Sequence, residues 1–372
     1  MKILFYSDSV PIGGHELMSI RLANKLSYFD TFDVSFLAPE TFYLKLDKNV
    51  TRIINNVAPR PLNGSFGHIF FNDYFFLLKS IKTIKPDLII VCQGTIELGI
   101  KAVIIAKLLG IKVVSYIPLM IDLLSTGSPF FPRLRNFLNN FLYKLPDGFV
   151  TISNYHRNEL YKKLQFSTPI SVLRNWVEHD DLSPKFQVTR YDISNWVQKQ
   201  KLEHKIIILI IGRIEFKHKQ QDKFLKLVCN GTLNENISIL FAGSGSDSGE
   251  LVSIIDQNRL SNVFYCGNVD DVRELYKIVD GICICSSFEG VPLVMLESIN
   301  WSLPVFSFDF DAIRDYLPPS MLVPDQNFLS LIEMINKYNF SNNVCIYSSN
   351  YKEPSGDEIE ILCQQLKSIF NR

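Results

Sequence analysis

Short, uniformly apolar runs constrain this chain more than any other feature of it. Lys205 to Gly212 reads KIIILIIG and Lys2 to Ser7 reads KILFYS. Similar runs recur at Asp33 to Leu37, Leu88 to Cys92, Lys112 to Tyr116, Gly148 to Ile152, Ile237 to Ala242, Gly281 to Ser286 and Val305 to Phe308. A strand that is apolar at every position must be covered on both faces, as a parallel strand between two helix layers is. Helical patterns fill the gaps: Glu16 to Leu26 spaces Met18, Leu22 and Leu26 at helical intervals. This alternation predicts an α/β chain with doubly wound parallel sheets. At 372 residues it is long enough for two such domains. Ligands of these sheets gather at the carboxyl ends of the strands. In the first half that rule points to Ser7, Gln93-Gly94, Tyr116 to Pro118 and Ser153.

Charge excludes one class of partner. The 38 Lys+Arg are balanced by 38 Asp+Glu, so the broad basic footprint of a nucleic-acid binder is absent. The seven cysteines (Cys92, Cys229, Cys266, Cys283, Cys285, Cys345, Cys363) are odd in number and form no regular framework. That fits reduced thiols in the cytoplasm. Cys283 and Cys285 fall on one face of a strand, but a metal would need further ligands, so buried thiols are expected. Met1-Lys2 runs straight into a strand too brief for a signal sequence. The apolar segment Leu98 to Ile121 is broken by Lys101, Lys107, Gly110, Lys112 and Pro118. It reads as helix, turn and strand, not as a membrane span.

The most informative stretch for chemistry is Asp280 to Asp311, DGICICSSFEGVPLVMLESINWSLPVFSFDFD. Ser287 to Gly290 reads as a tight loop, Pro292 suits the first turn of a helix, and Leu293, Leu296 and Ile299 give that helix its apolar stripe. A helix start presents free N–H groups and a positive dipole end, which together hold phosphate. Glu297 falls about a turn and a half inside, where a carboxylate could take ribose hydroxyls. Glu289, in the loop, could take the hydroxyls of a sugar beyond the phosphates. Two glutamates at this spacing alone read more readily as solvated helix residues. A second cluster, Gly212 to Asp222 (GRIEFKHKQQD), follows a strand and carries Arg213, Lys217 and Lys219. Alone these are surface cations. A third stretch, Pro11 to Glu16 (PIGGHE), places Gly13 and Gly14 between a strand and a helix, as nucleotide-type turns do, but also as any tight turn does.

Together these stretches resemble the GT-B fold glycosyltransferases of family 4 (glycosyl transferases group 1), which are retaining enzymes. SSFEGVPLVMLE with its helix and the following LPVF is similar to the family's E-x7-E segment. GRIEFKHKQQD resembles its G-R-L-x-x-x-K motif, one residue longer, with Lys219 the better match and Lys217 the second. GGHE resembles its G-G-x-E loop, and Asn262 to Val269 its N-V-x-F-x-G-x-V base pocket. VLRNWV (172–177) resembles its interdomain V-x-x-N-G-V, with Trp176 in place of glycine.

The resemblance implies two Rossmann-like domains facing a cleft. Their expected bounds are 1–177 for the acceptor side, 178–204 for a linker and first helix, and 205–354 for the nucleotide sugar. A terminal helix, 355–372, would pack back on the first domain. It implies transfer of a sugar from an NDP-sugar to a hydroxyl of a glycan or lipid-linked acceptor, with no metal and no other cofactor. Glu289, Arg213 and Lys219 would be catalytic. Glu297, Gly290, Val291, Pro292, Leu293, Gly13, Gly14, Val269 and Tyr265 would bind the donor, and Glu16, Tyr116, Asp122 and Ser153 would face the acceptor. Ser153 also suits a helix cap. The chain departs from the family in one respect: the loop after Lys112–Tyr116 has no His, and Tyr116 and Asp122 are the polar residues left there. Asp309, Asp311 and Asp315 replace a usual glycine and glutamate, and read as solvated carboxylates.

Two stretches rich in aromatic and basic residues, 67–82 and 130–144, fit core helices. The alternative for them is a rim in peripheral contact with a membrane holding the acceptor. Surface-polysaccharide synthesis is the family-level expectation. The rival readings are an NDP-sugar 2-epimerase of the same fold and a non-catalytic sugar-nucleotide-binding subunit.

Overall fold

The structure is a computed structural model that describes residues 1–9, 12–55, 71–120, 131–164, 168–178, 191–203, 205–269, 271–342, 347, 352 and 354–371. The chain forms two compact units, Met1–Asn175 with Pro354–Arg372, and Trp176–Glu353.

In unit 1 the strands are β1 (Lys2–Tyr6), β2 (Asp33–Ala38), β3 (Thr51–Ile54), β4 (Leu88–Cys92), β5 (Lys112–Tyr116), β6 (Gly148–Thr151) and β7 (Ile170–Val172). They form one sheet in the order β3-β2-β1-β4-β5-β6-β7, and every pairing is parallel. Helices α1 (Gly14–Ser27), α2 (Phe71–Ile84), α3 (Ile100–Leu108), α4 (Pro132–Leu142) and α5 (Asn154–Leu164) connect them. The uniformly apolar β4 is buried along its whole length, and so are Leu77 and Ile81 of α2 and Val103 of α3, which pack over it. The two aromatic-rich stretches part ways here. α2 turns Leu77 and Ile81 into the core, whereas α4 leaves Leu134, Phe137, Leu138 and Phe141 about half exposed. A core helix is therefore the wrong description of α4.

Unit 2 repeats the plan. Its strands are β8 (Ile206–Ile211), β9 (Ile237–Ala242), β10 (Val263–Tyr265), β11 (Gly281–Ile284), β12 (Val305–Phe308) and β13 (Leu322–Val323), in the order β10-β9-β8-β11-β12-β13. All five pairings are parallel. The helices are α6 (Tyr191–Leu202), α7 (Phe216–Lys219), α8 (Gln221–Cys229), α9 (Ser248–Gln257), α10 (Arg273–Tyr276), α11 (Leu293–Asn300) and α12 (Phe328–Lys337). Ile207, Ile208 and Leu209 of β8 are fully buried, and burying each such side chain stabilises the fold by about 1.5–3 kcal/mol. Trp176 is buried as well. Its backbone stays out of the left-handed region, so the position tolerates a residue with a side chain. The chain ends in α13 (Gly356–Phe370), which belongs to unit 1 and buries Ile359, Leu362, Leu366 and Ile369.

Candidate active site

The site in unit 2 begins where β8 and β9 run past their own ends. Gly212 N–H donates to Ala242 O at 3.0 Å and Ile214 N–H to Ser244 O at 3.2 Å. This close approach explains the Gly-Ser-Gly after β9. A Cβ on Gly243, whose φ is 121°, would lie 1.9 Å from the Gly212 oxygen, and one on Gly245 would lie 2.1 Å from the Ile214 oxygen. Gly212 itself has a φ of 145°. The turn projects Arg213 outward: its side chain is 59% exposed, with Nη1 3.8 Å from Glu215 Oε2. A pair this open contributes under about 1 kcal/mol, so stability does not explain the cation there. Asp247 Oδ2 accepts from Phe216 N–H at 2.6 Å and fixes the start of α7. α7 is a single turn closed by Gln220, which takes a left-handed φ of 54°.

That turn delivers Lys219 to Glu289. Lys219 Nζ lies 2.6 Å from Glu289 Oε1, and Ser286 Oγ donates to the same oxygen at 2.5 Å. Lys217, by contrast, is exposed. The loop carrying Glu289 is stitched to α7 through the His218 carbonyl, which accepts from Ser287 N–H at 2.7 Å and Ser287 Oγ at 3.1 Å. The His218 ring meets Phe288 edge-on at 5.0 Å. Partial burial holds its pKa below the ordinary value; Glu215 opposes that, and the cations Lys217, Arg213 and Lys219 add to it. From the strand side, the buried Cys285 thiol donates to Lys219 O at 3.2 Å. Burial pushes that thiol up to about 12, so it stays a neutral donor.

Gly290 and Val291 lead from this pair directly into α11. Pro292 stands at the N-cap, one residue earlier than the first-turn position read from the sequence, and no side chain caps the helix start. The first turn, led by Leu293, has no helical acceptor for its N–H groups and carries the positive end of the helix dipole. Glu297 is half-buried on α11 and accepts from Tyr276 Oη at 2.6 Å. Sequence reasoning missed Tyr276 as its partner; the signal was a tyrosine in an apolar setting, whose hydroxyl needs an acceptor when buried. Tyr265 Oη donates to Gly243 O at 2.8 Å, tying β10 to the Gly-Ser-Gly turn. Val269 is half-buried in the loop beyond β10.

Unit 1 holds the residues expected on the acceptor side. Asp122 lies outside the described residues. Glu16 turns back on its own helix, accepting from Gly13 N–H at 2.9 Å, and Gly14 is the first residue of α1. Ser153 caps α5, accepting from His156 N–H at 3.2 Å and pairing with His156 Nδ1 at 2.7 Å. Tyr116, the last residue of β5, is buried, and its ring meets His15 edge-on at 5.0 Å. His15 stands in the Gly-Gly-His-Glu turn that follows β1. The structure thus puts an imidazole beside Tyr116, where the sequence had shown no histidine in the following loop. Among the described residues, no group of three or more His, Cys, Asp or Glu side chains is placed to hold a metal ion. Among the same residues, no helix is long and apolar enough to cross a membrane.

Comparison with known proteins follows these two halves. The family model for glycosyl transferases group 1 matches residues 192–338, and the model for Glycosyltransferase Family 4 matches residues 12–181. The GalNAc-alpha-(1->4)-GalNAc-alpha-(1->3)-diNAcBac-PP-undecaprenol alpha-1,4-N-acetyl-D-galactosaminyltransferase of Campylobacter jejuni is 27% identical over 325 residues, 85% of this chain and 82% of that protein. The amylovoran biosynthesis glycosyltransferase AmsD of Erwinia amylovora is 22% identical over 369 residues, 94% of this chain and 95% of that one. Among solved structures, Anabaena HepE in complex with UDP-glucose superposes with a TM-score of 0.69 at 15% identity, covering 100% of both chains. That last likeness speaks to the fold alone. With two parallel-sheet units, and a glycosyltransferase model matching each half of its sequence, the chain belongs to the family 4 glycosyltransferases with the GT-B fold.

Proposed function

We propose that this glycosyltransferase moves a hexose-type sugar from an NDP-sugar to a hydroxyl of a glycan or lipid-linked acceptor, with retained anomeric configuration and without a metal. One observation carries the reading: Lys219, at the end of α7, meets Glu289 at 2.6 Å, and the loop that carries Glu289 runs directly into the uncapped start of α11. As the sugar bond breaks, negative charge gathers on the leaving diphosphate. Lys219, Arg213 and the N–H groups of α11 would meet that charge, and fixed donors of this kind act mainly on the transition state. Arg213 supplies a planar fork and Lys219 a point charge. Glu297 would hold the ribose. Glu289 would hold hydroxyls of the donor sugar and stabilise its positive charge in the transition state. The acceptor oxygen attacks from the face the diphosphate leaves, and its proton passes to the departing phosphate oxygen, so no strong protein base is required.

HepE, with its bound UDP-glucose, supports a nucleotide-sugar donor. The Campylobacter and Erwinia relatives support an acceptor in polysaccharide or lipid-linked glycan assembly. The half-exposed apolar face of α4 supports peripheral contact with a membrane surface; a cytoplasmic place at the inner face of the membrane remains part of the proposal.

The test is NDP release from UDP-, GDP- and ADP-sugars in EDTA, with a lipid-linked glycan fraction as acceptor and NMR of the product. Expected are acceptor-dependent release, an unchanged anomeric configuration, and a loss of kcat by about 100- to 1,000-fold in Lys219→Ala. Release that needs a divalent cation, or an inverted product, contradicts the reading.

A further inference from the structure

We infer that Gln326 is a positioning residue that clamps the loop carrying Glu289; its effect on transfer rests on the transferase reading above. A single 3-10 turn, Pro324–Gln326, joins β13 to α12. From it Gln326 Nε2 donates to the carbonyl of Ser287, 39 positions earlier in the chain. Chemistry fixes which end of the amide points there, since a carbonyl only accepts. α7 holds the other side of the same residue, its His218 O accepting from both Ser287 N–H and Ser287 Oγ. Ser287 is thus gripped by two separate elements of unit 2. Beside it, Ser286 Oγ and Lys219 Nζ meet Glu289 Oε1 at 2.5 and 2.6 Å. Glu289 lies two residues beyond the clamp, so freeing the loop at Ser287 loosens the carboxylate as well. A misplacement of about 1 Å in a reacting geometry can slow a step about 100-fold.

The backbone of the turn is strained for this reach. Asp325, at φ 57° and ψ 21°, and Gln326, at φ 49°, both lie in the left-handed region. That region disfavours any residue with a Cβ, and neither position is a glycine. The ends of the turn are anchored, so it cannot simply relax. On one side Val323 is buried. On the other, Asn327 caps α12, accepting from Ser330 N–H at 3.1 Å. Phe328 meets the buried Phe308 of β12 edge-on, 4.9 Å away. Gln326 itself is exposed. Water competes for both partners of an exposed hydrogen bond, so its net contribution to stability is small. Folding therefore does not account for two consecutive left-handed residues. Such strain persists where the surroundings over-determine it, and it gathers at functional sites. Here it ends on the loop that brings Glu289 to Lys219.

The experiment compares amide hydrogen exchange, Tm and NDP release from NDP-sugars in the full chain and three variants. Gln326→Met keeps the length of the side chain and removes its donor. It is expected to speed exchange across residues 286–290 about five- to tenfold, the value of one lost neutral hydrogen bond, with β11 exchanging as in the parent. Its kcat should fall by at least that factor while the nucleotide Kd holds. Gln326→Gly relieves the backbone as well, so Tm should hold or rise by about 2–4 °C while kcat still falls. A merely structural residue would lose both together. Asp325→Gly relieves strain, keeps the clamp and should retain the parent kcat. Unchanged exchange in Gln326→Met, or faster exchange with an unaltered kcat, overturns the inference; so does a Tm that falls with kcat in Gln326→Gly. Failure of the transferase reading shows separately, as no NDP release by the parent, and the exchange of residues 286–290 then decides the clamp by itself.

Discussion

Gly243 and Gly245 decide whether the turn carrying Arg213 can exist. A Cβ at either would collide with backbone oxygens of Gly212 or Ile214, and backbone cannot step aside as a side chain can. Gly245→Ala is therefore expected to destabilise unit 2 by about 1–3 kcal/mol or more, about 2–4 °C per kcal/mol in Tm. Denaturant midpoints measure it, and an unchanged midpoint would refute the packing. His15 gives the pH prediction. Its folded pKa of about 4 lies below the ordinary 6.5, so the unfolded chain takes a proton that the folded chain refuses. Its contribution is full above pH 6.5 and is lost as pH falls towards 4, on the order of 3 kcal/mol in total. His15→Gln should flatten that part of a Tm-against-pH curve; an unaltered acid slope would contradict the burial. At this scale Lys219 and Glu289 were legible, because their motifs are contiguous. The His15–Tyr116 contact was not, because it joins residues a hundred positions apart and only the sheet order makes them neighbours.

Elements were legible in proportion to their length and pattern. β8 and β9, apolar throughout, announce themselves. β7 and β13, at three and two residues, are too short to leave a period, and the exposed β3 lacks an apolar run. Helix α10, Arg273–Tyr276, is a single turn and too short to show a helical period. α4 shows where pattern stops being enough. Its apolar face fits a core as well as a surface, and only the fold shows Phe137 and Phe141 in the open, 5.3 Å apart. Beside them Lys144 Nζ lies 5.8 Å from the Phe141 ring. Replacing both with Ser removes little packing, so Tm should hold, while co-sedimentation with anionic vesicles should fall. Equal sedimentation of variant and parent would remove α4 from membrane contact.

For the molecule as a whole, the fold was legible because two runs of parallel strands admit few topologies. The last helix closes the first unit from the far end of the sequence. Leu366 and Ile369 of α13 are buried in it, and Leu366→Ala should cost about 2–5 kcal/mol, read from the denaturation of the full chain. A surface-like cost under about 0.5 kcal/mol would mean that α13 does not complete the core. In the proposed function, unit 2 grips a nucleotide sugar through Arg213, Lys219, Glu297 and the start of α11. Thermal shift against UDP, GDP, ADP and their common sugars, in EDTA, tests it most directly, since a ligand that binds only the folded state raises Tm with dose. A clear rise with one nucleotide, lost in Glu297→Ala and Arg213→Ala proteins that remain folded, is the predicted result. No rise with any nucleotide in a well-folded sample would contradict it.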